Sequence, residues 1–335
     1  MDYRKGGTFV RKRALSGMRP SGKLHLGHYL GALVNWRDLQ KENDCFYFVA
    51  DWHALTTEYD RTEIIEESID DMVIDWMASG IDPKQSTIFI QSHVPEHAEL
   101  HLLLSMITPL SWLERNPTYK EQLREQASRD LQTYGFLGYP VLQAADILMY
   151  DASLVPVGID QVPHLELTRE IARRFNFLYR EVLAIPEAYL TETPKILGTD
   201  NRKMSKTYDN AILLSDSAQE VWAKVKPMVT DPARMRRTDP GNPEICNIFS
   251  YHKIFSTPET IEKVDVGCRT AGIGCIECKK WMSEHMEKVL APIRERRKEI
   301  VDSGVSVRDL LKEGTERAKD VATKKMKEVR DAVRI

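Results

Sequence analysis

The 335-residue sequence predicts an α/β fold in which a doubly wound parallel sheet leads into a second, all-helical part. Three observations carry this. A short apolar segment at 14–18 runs through a Pro/Gly turn into an apolar helical period, the strand–turn–helix unit of open α/β sheets. Short apolar runs at 45–50 and 86–91 alternate with longer stripes at helical spacing, as expected for strands buried on both faces of a parallel sheet. From Ser217 onward the pattern is helical only.

Taken in order, residues 1–13 read as a flexible basic arm, with Arg4, Lys5, Arg11, Lys12 and Arg13. The stretch 16–31, S-G-M-R-P-S-G-K-L-H-L-G-H-Y-L-G, then turns into a helix opened by His25-Leu-Gly-His28. A glycine-containing turn at a helix N-terminus offers backbone N–H groups to an anion, here with two imidazoles beside it. Gly27 leaves room for a base or ribose against the backbone, and His25 and His28 can donate hydrogen bonds to a phosphate. Taken alone, the same histidines suit a satisfied helix cap equally well. Tyr29, Leu30, Leu33, Val34 and Trp36 continue at helical spacing before the strand at 45–50. His53 follows that strand at its carboxyl end, where ligands sit in such sheets, and is a pocket candidate. The stripe Ile64, Ile65, Ile69, Met72, Val73, Trp76 is core, stopped by Ser79-Gly80 before the strand at 86–91; a helix is expected over 95–107.

Residues 139–148, Y-P-V-L-Q-A-A-D-I-L, place Asp146 in an otherwise apolar helical run. A carboxylate there needs a partner, either a donor from a bound substrate or an internal cap or ion pair. Residues 155–161 supply another strand end, and 164–176 an amphipathic helix to cover the sheet. A polar, glycine-containing loop at 197–202 then presents Lys203-Met-Ser-Lys206-Thr207, two ammonium groups suited to a polyphosphate. Helices follow around Val221, Trp222 and Val225, and over 249–255, 276–301 and 306–335.

A hydrophobic content of 42% is enough to bury a full core, and no apolar run is long enough to cross a membrane; with no basic-then-apolar leader the chain is expected in the cytoplasm. A net charge of -3 speaks against indiscriminate nucleic-acid binding, while leaving local basic patches at 234–237 and 294–298. Cys45 sits alone in an apolar strand and reads as core. Cys246, Cys268, Cys275 and Cys278 are spaced C-x21-C-x6-C-x2-C, with Gly267, Gly272 and Gly274 among them. In a reducing compartment a disulfide framework is disfavoured. The spacing leaves an iron–sulfur cluster, a tetrahedral zinc or no metal open.

Together, His25-Leu-Gly-His28 and Lys203-Met-Ser-Lys206 resemble the HIGH and KMSKS signatures of class I aminoacyl-tRNA synthetases. The run 139–148 is similar to the specificity helix of the tryptophanyl-tRNA synthetases, and Gly158-Ile-Asp-Gln161 to the family's G-x-D-Q segment, with Ile159 in place of the more common acidic residue. The resemblance extends from about Leu15 to the C-terminus and implies a Rossmann-like catalytic domain over 14–210. It further implies a helical anticodon-binding domain over 211–312 and a C-terminal helix, 313–335, packed back on the catalytic domain.

It implies activation of L-tryptophan by Mg-ATP and transfer to the terminal ribose of tRNA(Trp), by a homodimer. His25, His28, Lys203 and Lys206 would be catalytic. ATP would lie against Arg19, Pro20, Ser21, Gly27 and His28 of the first turn, Lys120 of a P-T-Y-K segment, Gly158, Ile159 and Asp160, and Ile196 with Lys203, Met204, Ser205, Lys206 and Thr207. Gln122 stands where several members carry a second lysine. Tryptophan would meet Asp146, which accepts its indole N–H, together with Gln161, His53, Tyr139 and Val157. The cysteine spacing resembles that of a bacterial subset holding a 4Fe-4S cluster on Cys246, Cys268, Cys275 and Cys278, with zinc as second choice. A tyrosyl-tRNA synthetase shares the H-x-G-H, G-x-D-Q and K-M-S-K segments. A small-metabolite adenylyltransferase and an iron–sulfur RNA-binding regulator are readings from other classes.

Overall fold

The computed structural model describes residues 11–117, 119–120, 131–158, 161–190 and 196–335, with the backbone alone at Thr207. Five strands, β1 (Arg13–Met18), β2 (Asp44–Val49), β3 (Ser86–Ile90), β4 (Leu154–Val157) and β5 (Glu187–Leu190), form one parallel sheet in the order β3-β2-β1-β4-β5. The order reverses between β1 and β4. Their carboxyl ends diverge there and open the crevice in which open α/β sheets bind ligands.

Strand alternation divides the interior into two cores. Cys45, Tyr47, Val49, Ile88 and Ile90 face one side with Trp36 and Trp76; Phe46, Phe48 and Phe89 face the other with Tyr150 and Phe175. The first side is closed by α1 (Leu26–His28), a π-helical turn Tyr29–Leu33, α2 (Val34–Leu39) and α4 (Glu63–Ala78), after the short α3 (Asp51–Glu58). The second carries α5 (Glu96–Ser105), α6 (Leu110–Glu114), α7 (Tyr134–Met149) and α8 (Val162–Leu178). The π turn inserts wider winding between His28 and Val34, which an apolar period near 3.6 does not announce. Nor did the sequence announce β5: its four residues E-A-Y-L are all exposed, so no buried run marks them.

Beyond Ser217 the chain is helical, as α9 (Ala218–Val225), α10 (Asn247–Phe255), α11 (Pro258–Arg269), α12 (Cys275–Asp302) and α13 (Val307–Val333). Phe249, Tyr251, Met282, Met286 and Leu290 continue the first core without a break. The second basic run is spent inside the chain: Arg294 pairs with Glu287, Arg296 donates to the Ala78 carbonyl, and Arg297 bridges Asp71 and Asp75 on α4. Burial leads the causes that push Asp75 up to about 6, which the Arg297 guanidinium only partly offsets. The last helix, α13, crosses β3 and buries Ala318, Ala322, Met326 and Val329 in the second core. It approaches so closely that a Cβ at Gly314 would overlap the Ile88 carbonyl. No described helix is long and apolar enough to cross a membrane.

Candidate active site

A cavity of about 340 Å³ lies at the switch between β1 and β4, lined by Ser16, Gly17 and Arg19 from β1 and its turn, and by Val157, Gly158 and Gln161 after β4. His53, Tyr139, Gln143 and Asp146 close its inner end. Gly17 is required where it stands, because a Cβ would run into the Phe48 ring.

Asp146 is 1% exposed and its two oxygens are filled from the protein. Oδ1 accepts from Gln91 Nε2 at 2.8 Å and from His97 Nδ1 at 2.6 Å; Oδ2 accepts from His53 Nε2 at 2.8 Å and the same Gln91 amide at 2.9 Å. Behind His97, whose Nδ1 faces the carboxylate, the Tyr150 hydroxyl lies 2.8 Å from Nε2. Burial alone would push the Asp146 carboxyl up. The hydrogen bonds from His53 and His97, with their charge, outweigh it and hold the group down at about 2. Of the three donors, His53 stands on the cavity wall, whereas His97 and Gln91 are fully buried. A second, partly buried chain runs from Tyr139, whose hydroxyl is 3.1 Å from His164 Nε2, to Gln143, whose Oε1 is 3.1 Å from His164 Nδ1.

Toward the open end, the helix after the first turn is capped by imidazoles. His25 Nδ1 accepts the Gly27 N–H at 3.1 Å, and His28 Nδ1 accepts the His25 N–H at 3.2 Å. Gly27 allows this, since a Cβ would come within 2.8 Å of the His25 ring. A neutral ring that accepts at Nδ1 carries its proton on Nε2, which each histidine therefore keeps as a donor. Burial, and then the Lys206 ammonium, pushes His25 down to about 4; burial and the neighbouring His25, Lys206 and Arg19 push His28 lower than the ordinary range. Both rings are thus neutral donors near pH 7. The cap reading and the donor reading describe the same geometry.

The lysine loop reaches this turn. Lys206 Nζ donates to the Ser21 carbonyl and sits over Gly22, whose φ of +94° only glycine adopts readily. Burial pushes Lys206 down to about 8. Met204 is buried in the first core, and Leu26 and Leu214 pair with Ile212 and Leu24, tying the loop's exit to the first helix. Asn210, 1% exposed, holds the loop from within: its Nδ2 donates to Asp200 Oδ1 and the Lys203 carbonyl, and its Oδ1 accepts the Ser205 N–H.

A model of the class I tRNA synthetases for tryptophan and tyrosine matches residues 10–291. The chain belongs to that family. It is 57% identical to the tryptophan–tRNA ligase of Thermotoga maritima, over 96% of this chain and 99% of that one, and 45% identical to that of Aquifex aeolicus over 96% and 100%. Its fold is similar to the tryptophanyl-tRNA synthetase of Campylobacter jejuni in complex with ADP and tryptophan, with a TM-score of 0.84 at 33% identity, covering 96% of this chain and all of that chain. A tyrosyl-tRNA synthetase of Archaeoglobus fulgidus, at 22% identity and a TM-score of 0.63 over 85% of this chain and 90% of its own, shares the fold alone. The activity of the chain is tryptophan–tRNA ligation.

Within this synthetase, Arg19, His53, Tyr139, Asp146, Val157, Gly158 and Gln161 line one cavity. Pro20 and Ser21 form the turn beneath Lys206, and Ile196 packs on the first core. Lys203 is exposed, opposite Leu197 in a short bridge. Lys120 is exposed and is not among the residues lining the cavity. Ile159, Asp160 and Gln122 lie outside the described residues, as does the side chain of Thr207. Gln91, His97, Gln143, His164 and Asn210 were not foreseen. Gln91 follows the carboxyl end of β3, the position that singled out His53 after β2, so the same rule would have found it. His97, His164 and Asn210 meet their partners only through the fold.

Cys45 is buried in β2. The other cysteines share one locus at the start of α12, where Cys275 opens the helix and Cys278 stands one turn on. Thr230 Oγ1 approaches Cys275 Sγ at 3.6 Å, Arg234 Nη1 approaches Cys268 Sγ at 3.8 Å, and His252 Nε2 approaches Cys278 Sγ at 3.4 Å. Burial, then the charges of Cys246, Cys268 and Cys275, pushes Cys278 up to about 12; burial likewise raises Cys246 and Cys268. Among the described residues, no three His, Cys, Asp or Glu side chains are gathered so as to hold a single metal ion.

Proposed function

We propose that the cavity binds L-tryptophan with its indole N–H on Asp146 Oδ2, in place of His53, and that the carboxylate of tryptophan attacks the α-phosphate of Mg-ATP at the histidine-capped turn. The observation that carries this is a buried carboxylate, held ionised, on a cavity that Arg19 of the first turn also lines, with His25 and His28 standing as neutral imidazole donors on the same turn outside that lining. The mixed anhydride then passes its acyl group to the terminal ribose of tRNA(Trp). His25 and His28 donate through Nε2 to the charge that develops on the α-phosphate, and Lys203 and Lys206 meet the departing pyrophosphate. Tyr139 and Gln161 face the amino group, Val157 the indole. Arg19, Pro20, Ser21, Gly27, Gly158, Ile159, Asp160, Ile196 and the backbone of Met204, Ser205 and Thr207 surround ATP; Lys120 would join them only by moving toward the cavity. Amino-acid-dependent exchange of labelled pyrophosphate into ATP tests the reading. Exchange with tryptophan and none with tyrosine is expected; exchange with tyrosine would overturn the assignment of Asp146.

The four clustered cysteines are proposed to hold a 4Fe-4S cluster. Their chemistry supports it: Cys246, Cys268 and Cys278, raised first by burial and then by neighbouring cysteines, need a cation to become thiolates, and the helix N-terminus of α12 and Arg234 add positive charge at the same place. Cys246, Cys268, Cys275 and Cys278 would be the ligands, and the cluster would supply a cross-link between α10, α11 and α12. Iron and sulfide content of anaerobically purified protein tests this, with bound zinc as the contrary outcome. We further propose a cytoplasmic homodimer that uses exposed Leu102 on α5, Met106 just past its end, Leu110 on α6 and Tyr134 on α7. Domain limits of 14–210, 211–312 and 313–335 complete the proposal.

A further inference from the structure

We propose that Asn247 and Tyr251 on α10 are positioning residues for the lysine loop, so that the helical domain sets the placement of Lys203 at the ATP site. Asn247 is 4% exposed and Tyr251 fully buried, yet each spends its polar group on the loop. Asn247 Nδ2 donates to the Gly198 carbonyl at 2.8 Å, and the Tyr251 hydroxyl donates to the Leu197 carbonyl at 2.5 Å. These two carbonyls belong to the strand of the loop that faces Lys203: Leu197 and Lys203 form an antiparallel bridge, and the Gly198 N–H bonds the Arg202 carbonyl at 2.7 Å. Asn210 grips the other side, at the Lys203 carbonyl and the Ser205 N–H. The backbone that carries Lys203 is therefore clamped between a buried amide of its own segment and two side chains of α10.

The helix that supplies the clamp is anchored in the helical domain. It begins immediately after Cys246, which is its N-cap, and one turn beyond Asn247 the buried Tyr251 is followed by His252, which contacts Cys278 on α12. A shift of α10 along its axis would carry both donors, and hence Leu197 and Gly198, with it. A side chain that acts on a transferring phosphate from a loop is worth most when the loop is held in place, because small misplacements are costly. Two hydrogen bonds from a packed helix supply that restraint where the loop itself, exposed and polar, has little core of its own.

This rests on the reading that Lys203 acts on the phosphates of ATP. The test is a cycle of Asn247→Asp, which sets an acceptor against the Gly198 carbonyl in the same volume, with Lys203→Ala, assayed by pyrophosphate exchange on the full chain. Asn247→Asp is expected to lower kcat by on the order of tenfold to a hundredfold, with KM for tryptophan unchanged, and to have no further effect once Lys203 is Ala. Equal effects in both backgrounds would overturn the clamp while leaving the role of Lys203 standing. A Lys203→Ala enzyme with unchanged turnover would instead remove the reading on which the clamp rests. Should Asn247→Asp fail to fold, Tyr251→Phe, which deletes one hydroxyl, runs through the same cycle; unchanged kcat in that folded variant also overturns the clamp.

Discussion

At the inner end of the cleft the polar groups are buried and come from helices and strand ends, with Asp146 filled by Gln91, His97 and His53. At the outer end the cations sit on a polar loop, Lys203 exposed and Lys206 half-buried, and Lys206 donates to the Ser21 carbonyl of the opposite turn. The inner end is pre-organised: moving any one donor leaves a buried charge short of a partner. The loop backbone is clamped, but the Lys206 side chain reaches across to one carbonyl and can leave it, which suits a group that must meet a polyphosphate and release it. Recognition of an uncharged indole needs a fixed acceptor, whereas stabilisation of a leaving anion needs charge delivered in time.

The sharpest way to break this contrast is Asp146→Ala. It strands two buried donors, Gln91 and His97, besides His53 on the cavity wall, and is expected to cost about 3–5 kcal/mol of stability in urea unfolding, together with the discrimination between tryptophan and an analogue that lacks the indole N–H. A stable variant with intact discrimination would show that the inner end is not organised around this carboxylate. Lys206→Ala comes next: kcat for activation should fall by about 10²–10³, while the unfolding midpoint and tryptophan affinity stay put. Loss of tryptophan affinity there would erase the separation of the two ends.

Acid should undo the ends in order. His25 has its folded pKa pushed from 6.5 down to about 4, so the stability it contributes is full above 6.5 and is lost as pH falls through 4. Asp146, lowered from 3.8 to about 2, contributes fully above 3.8 and loses its share as pH falls through 2. Unfolding free energy against pH should therefore decline in two windows, with His25→Gln flattening the upper and Asp146→Asn the lower; a single window would contradict the separation. The smallest effect belongs to Tyr150→Phe, which removes the hydroxyl behind His97 and should cost about 1 kcal/mol with a slight rise in KM for tryptophan. No change in KM would mean that His97 holds its orientation without Tyr150.

Much of this was legible in the residues themselves. Strands β1 to β3, the helix stripes, the switch to helices after Ser217 and the turn at His25 follow from apolar period and from the turn-forming Pro20 and Gly22, which act over a few residues. The resemblance of two short motifs carried the family. What failed to show was what lacks a local signal: the exposed edge strand β5, the π turn after His28, and a cavity lining that leaves Lys120 out.

The sequence by itself determined which side chains have the chemistry, Asp146 in an apolar helix, His25 and His28 at a helix start, Lys203 and Lys206 on a polar loop. Only the tertiary structure decided how that chemistry is set. It gave Asp146 to Gln91 and His97, 55 and 49 residues away in the chain. It made His25 and His28 cap the start of one helix through Nδ1, which leaves the proton of each ring on Nε2, and it hung the lysine loop on Asn247 and Tyr251 of a helix in the helical domain. Hydrogen-bond partners of buried groups are chosen by distance in space, within about 3 Å, and spacing along a chain carries no record of that choice.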